Sequence, residues 1–376
     1  MIQNISLTDF RNFKKKNIDF SDKVTIIVGR NGIGKTNILE SLFLLSTGKS
    51  FKARRESEML AYDHELARIS GNVASSTKQV AGEDKKHATN NLLHTTKLEV
   101  ILTDSSNGWP KKRLLVNGVP RRMIDFAGNF KTVLFGPWDM DLVTESPSIR
   151  RNFLDIVLSQ TDREYRRCIG SYEKGLRQRN KLLWRIREEG VSRSQLLFWN
   201  QLLIKNGNYI TEQREKFIDF VNNTKGLQSM VYSLQYDRSV ISEGRLEQYA
   251  REEVASATTL VGPHRDDFVF EIRNSKLEIR NLAAYGSRGE QRMGVLWLKM
   301  AELNYIEQEI LKTDPEKNLG LTSRPTLLLD DIFSELDHNH REIVMDVIAG
   351  QQTIITTADE HFLEGLEDKK NIVINL

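Results

Sequence analysis

Eight consecutive residues, Gly29-Arg30-Asn31-Gly32-Ile33-Gly34-Lys35-Thr36, fit the pattern G-x-x-x-x-G-K-[ST]. Gly29, Gly32 and Gly34 allow a backbone curl whose N–H groups point inward, where side chains would obstruct a phosphate. A helix opening at Lys35 adds unpaired N–H groups and the positive end of its dipole. Lys35 has the reach to meet β- and γ-phosphates, and the Thr36 hydroxyl suits Mg²⁺. The chemistry expected here is the binding of a nucleoside triphosphate with its metal.

The flanks supply the elements such a loop needs. Val24-Thr25-Ile26-Ile27-Val28 is a β-branched apolar run of buried-strand length. After the loop, Ile38, Leu39, Leu42, Phe43 and Leu45 recur at helical spacing. A second run, Thr326-Leu327-Leu328-Leu329-Asp330-Asp331, ends in two carboxylates. Asp330 is placed to hold Mg²⁺ opposite Thr36, and Asp331 to orient or deprotonate an attacking water.

Composition narrows the setting. The chain has 376 residues, enough for one large or two medium domains, and 54 Lys+Arg against 51 Asp+Glu, so bulk charge names no partner. Cys168 is the only cysteine, which excludes an internal disulfide and suits a reducing cytoplasm. No apolar run approaches membrane-spanning length, so no membrane association is expected.

Along the chain, strands are expected around Ile5, Ile18, Ala67–Val73, Lys97–Leu102 and Lys131–Phe135. The polar stretch Ala74–Thr96 reads as a solvated loop or long hairpin tip, and Asn117-Gly118 as a type I′ turn. From Pro147 long helices follow, with Tyr165, Ile169, Tyr172, Leu176 and Leu183 on one face. Arg163, Arg167, Lys174, Arg177, Lys181 and Arg185 fall on another, a candidate DNA surface whose bland alternative is a solvated face. The segment 149–193 holds 12 Lys+Arg against 6 Asp+Glu. Helices are also expected at Ser194–Thr224 and Arg245–Ala257, then a hairpin from Phe268–Ile272 to Lys276–Arg280 across Asn274-Ser275. The last strands expected are Thr353–Thr357 and 371–374.

Ser287-Arg288-Gly289-Glu290-Gln291, heading a helix to about Ile310, resembles the signature motif of ABC-type ATPases. In that superfamily the signature Ser and Gly, here Ser287 and Gly289, face a nucleotide held by a second subunit. Ser334-Glu335-Leu336-Asp337 resembles the matching D-loop, with Asp337 as its nucleotide-side residue.

Several further strings, in order along the chain, resemble the RecF family of bacterial DNA repair proteins. They are Phe10-Arg11-Asn12-Phe13, Gly48-Lys49-Ser50-Phe51, Val116-Asn117-Gly118, Arg150-Arg151-Asn152-Phe153-Leu154-Asp155 and Val261-Gly262-Pro263-His264-Arg265-Asp266-Asp267, followed by 329–337. The resemblance implies an α/β fold: an ABC-type P-loop ATPase head, lobe I of mixed sheet and helices with an α-helical lobe II inserted. It is similar to the heads of SMC proteins. The corresponding boundaries are 1–136 plus 312–376 for lobe I and 137–311 for lobe II, with the hairpin 267–280 assignable to either. The resemblance adds Arg11 and Asn37 to the nucleotide contacts. It also implies an ATP-dependent homodimer, binding to gapped DNA or single/double-strand junctions, weak DNA-dependent hydrolysis, and partnership with RecR and RecO in loading RecA.

Some positions depart from the family pattern: Trp138 stands where Glu is usual and Glu290 where Gln is usual. Two other readings compete, an ATPase subunit of a membrane transporter and a regulatory ATP switch that never meets DNA. The long interval between Lys35 and Ser287, and Thr356-Thr357 where a transporter's switch His would stand, disfavour the first. Steeply salt-dependent DNA binding separates the second.

Overall fold

The protein is described by a computed structural model that covers residues 1–78, 91–104, 111–224, 231–273, 278–313, 324–334, 338–358 and 371–376. It forms two compact units, Met1–Trp138 with Glu302–Leu376, and Asp139–Ala301. The strands are β1 (Ile2–Phe10), β2 (Phe13–Asp19), β3 (Val24–Val28), β4 (Leu66–Lys78), β5 (Asn91–Thr103), β6 (Lys112–Val116), β7 (Val119–Arg121) and β8 (Thr132–Phe135) in the first unit. The second holds β9 (Val231–Asp237), β10 (Asp267–Arg273) and β11 (Ile279–Asn281). β12 (Thr326–Asp330), β13 (Thr353–Thr357) and β14 (Ile372–Asn375) return to the first.

The sheet that matters for chemistry runs β14-β3-β13-β12-β8, parallel throughout. β3, β12 and β13 are buried at every position, which explains their unbroken apolar and β-branched sequences. The helix Lys35–Thr47 follows β3 and packs on this sheet and on β4 and β5 of the other. Covered on two sides, it buries Ile38, Leu39, Leu42, Phe43, Leu44 and Leu45 together, at about 1.5–3 kcal/mol for each large side chain.

The antiparallel sheet β2-β1-β4-β5-β6-β7 forms the opposite layer. A single amide links the layers. The Gln352 Nε2 donates to the carbonyls of Ile2 (2.7 Å) and Ser21 (2.9 Å), while its Oε1 accepts from Ile2 N and the Thr326 hydroxyl, both at 2.9 Å. All four hydrogen-bonding positions of this buried side chain are filled.

Of the two readings of Ala74–Thr96 the long hairpin is the one observed, and it carries more strand than expected: β4 continues to Lys78 and β5 starts at Asn91 in unbroken register. Ladder pairing satisfies the backbone whatever the side-chain polarity, and Thr is itself a good strand residue. The turn at Asn117-Gly118 forms as expected, with φ of 51° and 77°. Pro120 lies in β7 at the sheet's edge, where a missing N–H costs no ladder bond.

The second unit is built on helices Pro147–Thr161, Arg163–Glu189 and Leu197–Asn222, with the three-stranded sheet β11-β10-β9. Tyr165, Cys168, Tyr172, Arg179 and Leu183 are buried along the long helix, with Ile169 and Leu176 at its margin. The helix expected at Arg245–Ala257 is two, Glu243–Gln248 and Ala250–Ser256. Ser242 caps the first, its hydroxyl accepting from Arg245 N. β9 was not anticipated, although Val231-Tyr232-Ser233-Leu234 alternates and buries Tyr232 and Leu234.

Candidate nucleotide site

At the carboxyl end of β3 the chain enters the glycine loop. Gly32 and Gly34 take φ of 84° and 114°, a region closed to most side chains. At Gly34 a Cβ would also fall 2.7 Å from the Asn12 amide and 2.8 Å from the Phe13 ring. The Lys35 Nζ is folded into the curl, donating to the carbonyls of Gly29 (2.6 Å) and Arg30 (3.2 Å).

β13 separates β3 from β12, and its register aligns Asp330 with Thr356 and Ile27 across the sheet. This brings residues distant in sequence together: the Thr36 hydroxyl donates to Asp330 Oδ2 at 2.8 Å. The Thr356 hydroxyl donates to the other carboxylate oxygen, Oδ1. Two oxygen ligands in adjacent octahedral positions around Mg²⁺, each at 2.0–2.1 Å, stand about 2.9 Å apart. The Thr36–Asp330 pair has that spacing and those hard donors, so its chemistry fits the ion. Among the described residues no cluster of three His, Cys, Asp or Glu offers a metal site. Asp331 adopts φ of 49°, and its N–H donates to the Thr356 carbonyl at 3.1 Å. Its carboxylate is half-buried.

A polar rim borders the loop. The Asn12 amide donates to the Ile33 carbonyl at 2.7 Å and accepts from Asn37 at 2.8 Å, and Lys52 donates to Asn37 at 3.2 Å. Arg11 is engaged elsewhere: its guanidinium forms a two-pronged pair with Glu40 at 2.8 and 2.6 Å and reaches the Glu58 carbonyl. Glu40 is fully buried and also accepts from Ser50 at 2.5 Å. The sequence reading missed Glu40, although a carboxylate between Leu39 and Leu42 on a buried helix is a signal in itself. Arg11 and Ser50 come from two of the family strings, and one buried anion ties them to the helix that follows the loop. Trp138 stacks on Phe51 at 4.8 Å, and Phe51 meets Phe43 edge-on at 5.5 Å. Its indole thus packs against the Gly48–Phe51 string.

In the second unit, Ser287 and Glu290 form a capping box. Ser287 N donates to the Glu290 carboxylate at 2.7 Å, and Glu290 N donates to the Ser287 hydroxyl at 3.2 Å. A Cβ at Gly289 would meet nothing within 4 Å. Asp337 lies outside the described residues, as do Asn274-Ser275.

The Gly262–Asp267 string forms a hydrogen-bonded hub of the second unit around the buried Asp266. Asp266 accepts from Arg214 (3.0 Å), the Tyr236 hydroxyl (2.5 Å) and Ser239 N (2.7 Å). Asp267 takes a two-pronged pair from Arg150 at 2.6 and 3.0 Å. Arg214 also reaches Asp155 at 2.8 Å. His264 is desolvated by burial, and this with the nearby Arg265, Arg151 and Arg179 lowers its pKa to about 4. Its Nε2–H donates to the Thr259 carbonyl at 3.0 Å, so the neutral Nδ1 accepts from the Tyr172 hydroxyl at 2.8 Å.

The basic stripe is sparser than the residue count suggests. Arg150 and Arg179 are buried in ion pairs with Asp267 and Glu253. Of the six candidates, Arg167 pairs with Glu164 and Arg185 with Glu189. Lys174, Arg177 and Lys181 are exposed and form no ion pair among the described residues.

A glycine loop, a helix start and a strand-ending carboxylate meeting at the carboxyl edge of a parallel sheet define a P-loop nucleoside triphosphatase. The family model for the RecF/RecN/SMC N terminal domain matches residues 1–375. The DNA replication and repair protein RecF of Lachnospira eligens is 31% identical over 381 residues, covering 96% of this chain and 94% of its own. That of Bacillus cereus is 32% identical, with 99% and 96% covered. The solved structure of the recombination mediator protein RecF with ATP superposes at a TM-score of 0.79 with 29% identity, covering 96% of this chain and 92% of that one. The chain belongs to the RecF family, and its fold is the α/β ABC-type ATPase head.

Proposed function

We propose that this chain is an ATP-dependent DNA clamp of recombinational repair and replication restart. The first unit acts as lobe I and the second as lobe II. The glycine loop and Lys35 hold the phosphates of ATP, and Thr36 and Asp330 would hold Mg²⁺, which would supply charge neutralisation at the phosphates. Asp331 orients the attacking water, and its reach, shorter than that of Glu, goes with slow hydrolysis. Ser287 and Gly289 of a second copy approach the γ-phosphate, with Asp337 beside them, so nucleotide drives dimerisation. The dimer grips gapped DNA or a single/double-strand junction, and RecR and RecO are its partners in loading RecA.

The 2.8 Å contact between Thr36 and Asp330 beside the glycine loop supports this reading most directly. It is tested by measuring the mass of the protein with and without ATP, and with and without a gapped duplex. ATP should convert it to a dimer that binds the duplex, and Lys35→Ala should abolish the conversion. A mass unchanged at saturating ATP, even with DNA present, refutes the proposal.

A further inference from the structure

The helix Arg163–Glu189 contains two glycines with opposite surroundings. A Cβ at Gly175 would strike Leu202 at 2.6 Å, so close helix packing accounts for it. At Gly170 a Cβ would meet nothing within 4 Å. An interior helical glycine facing open space weakens the helix and buys no packing. Gly170 is therefore a vacancy on the helix surface that nothing inside the protein requires.

Its position gives the vacancy a meaning. At 100° per residue, Gly170 falls on the same face as Lys174, Arg177 and Lys181, three exposed cations that form no ion pair among the described residues. Toward the helix start that face continues through Arg167, which is held by Glu164. From Gly170 to Lys181 the helix rises about 16 Å, several phosphate steps at the 3.4 Å rise per strand of duplex DNA. Three exposed cations in a row beside a bare patch of backbone match a polyanion that must come close.

We propose that this face is the track for a DNA phosphodiester backbone, with Gly170 as its point of closest approach. The inference rests on the DNA-binding reading above and specifies where and how that binding occurs. Lys174, Arg177 and Lys181 neutralise successive phosphates, and the missing side chain lets the backbone lie against the helix. Any side chain at 170 holds the strand off, even one that strengthens the fold.

The test uses the full chain with ATP and a labelled gapped duplex, its affinity read by anisotropy over a series of salt concentrations. Gly170→Leu adds bulk and removes no cation, and should lose about tenfold in affinity with the salt dependence unchanged. Gly170→Ala should unfold at higher urea than the parent yet bind DNA more weakly, a pairing that helix propensity alone does not produce. Lys174→Ala combined with Lys181→Ala should flatten the salt slope by about 2, since each lost contact removes about 0.9. If the Gly170 variants bind DNA like the parent, the track is wrong and the DNA-binding reading survives. If the parent itself fails to bind any duplex at low salt, both fall.

Discussion

Protonation of His264 should cost the second unit its stability in mild acid. The folded-state pKa is lowered to about 4, against 6.5 in the unfolded chain. Between those values the unfolded chain binds the additional proton, so stability is fully present above 6.5 and is lost as pH falls through about 4. Linkage gives a loss of about 2 kcal/mol on going from about pH 7.5 to about pH 5, and about 3 kcal/mol by about pH 4. The structural cause is plain: a charged ring would place a second N–H against the Tyr172 hydroxyl, near Arg265, Arg151 and Arg179. Carboxylates titrate in the same range, so the informative quantity is the difference between the parent and His264→Gln. Gln retains an N–H for the Thr259 carbonyl and an oxygen for Tyr172, but does not titrate. Urea unfolding across this range should show the parent losing ground to the variant as pH falls. Parallel curves would refute the reasoning.

Glu290→Ala removes half of the capping box and should lower the urea midpoint by the equivalent of about 1 kcal/mol, whereas Glu290→Gln should be near neutral because Gln also completes the box. Glu40→Gln leaves the Arg11 guanidinium without its buried counter-charge and should cost about 3 kcal/mol in urea unfolding, and a loss below about 1 kcal/mol would show the pair behaving as a surface one. Asp331→Asn should bind ATP normally and hydrolyse it about a hundredfold more slowly in a phosphate-release assay, and unchanged turnover would remove Asp331 from water activation.

The nucleotide site was legible because its parts are local. Loop glycines, a β-branched strand before them and an apolar helix after them leave a pattern in adjacent residues, as does a strand ending in carboxylates. The Thr36–Asp330 contact was legible only through chemistry, since both carry oxygens suited to one metal; the strand β13 that brings them together carries no mark of it. Glu40 and the hub around Arg214 and Asp266 were not foreseen, because a charged residue reads as solvent-facing until its partner is known. The same ambiguity inflated the basic stripe, where Arg150 and Arg179 counted toward a surface charge that they spend on buried carboxylates. Glu290 shows the reverse case: Ser287-Arg288-Gly289-Glu290 spells a capping box within four letters, yet beside the signature motif it read as a departure.

The strand that launches the glycine loop has neighbours only from the far end of this chain. Thr25 pairs with Ile354 on one side and Ile372 on the other. During translation β3 leaves the ribosome early and waits, its five apolar or β-branched residues unshielded, until β13 and β14 emerge. The sheet beneath the glycine loop therefore closes only late in synthesis, a long-range pairing of the kind that folds slowly.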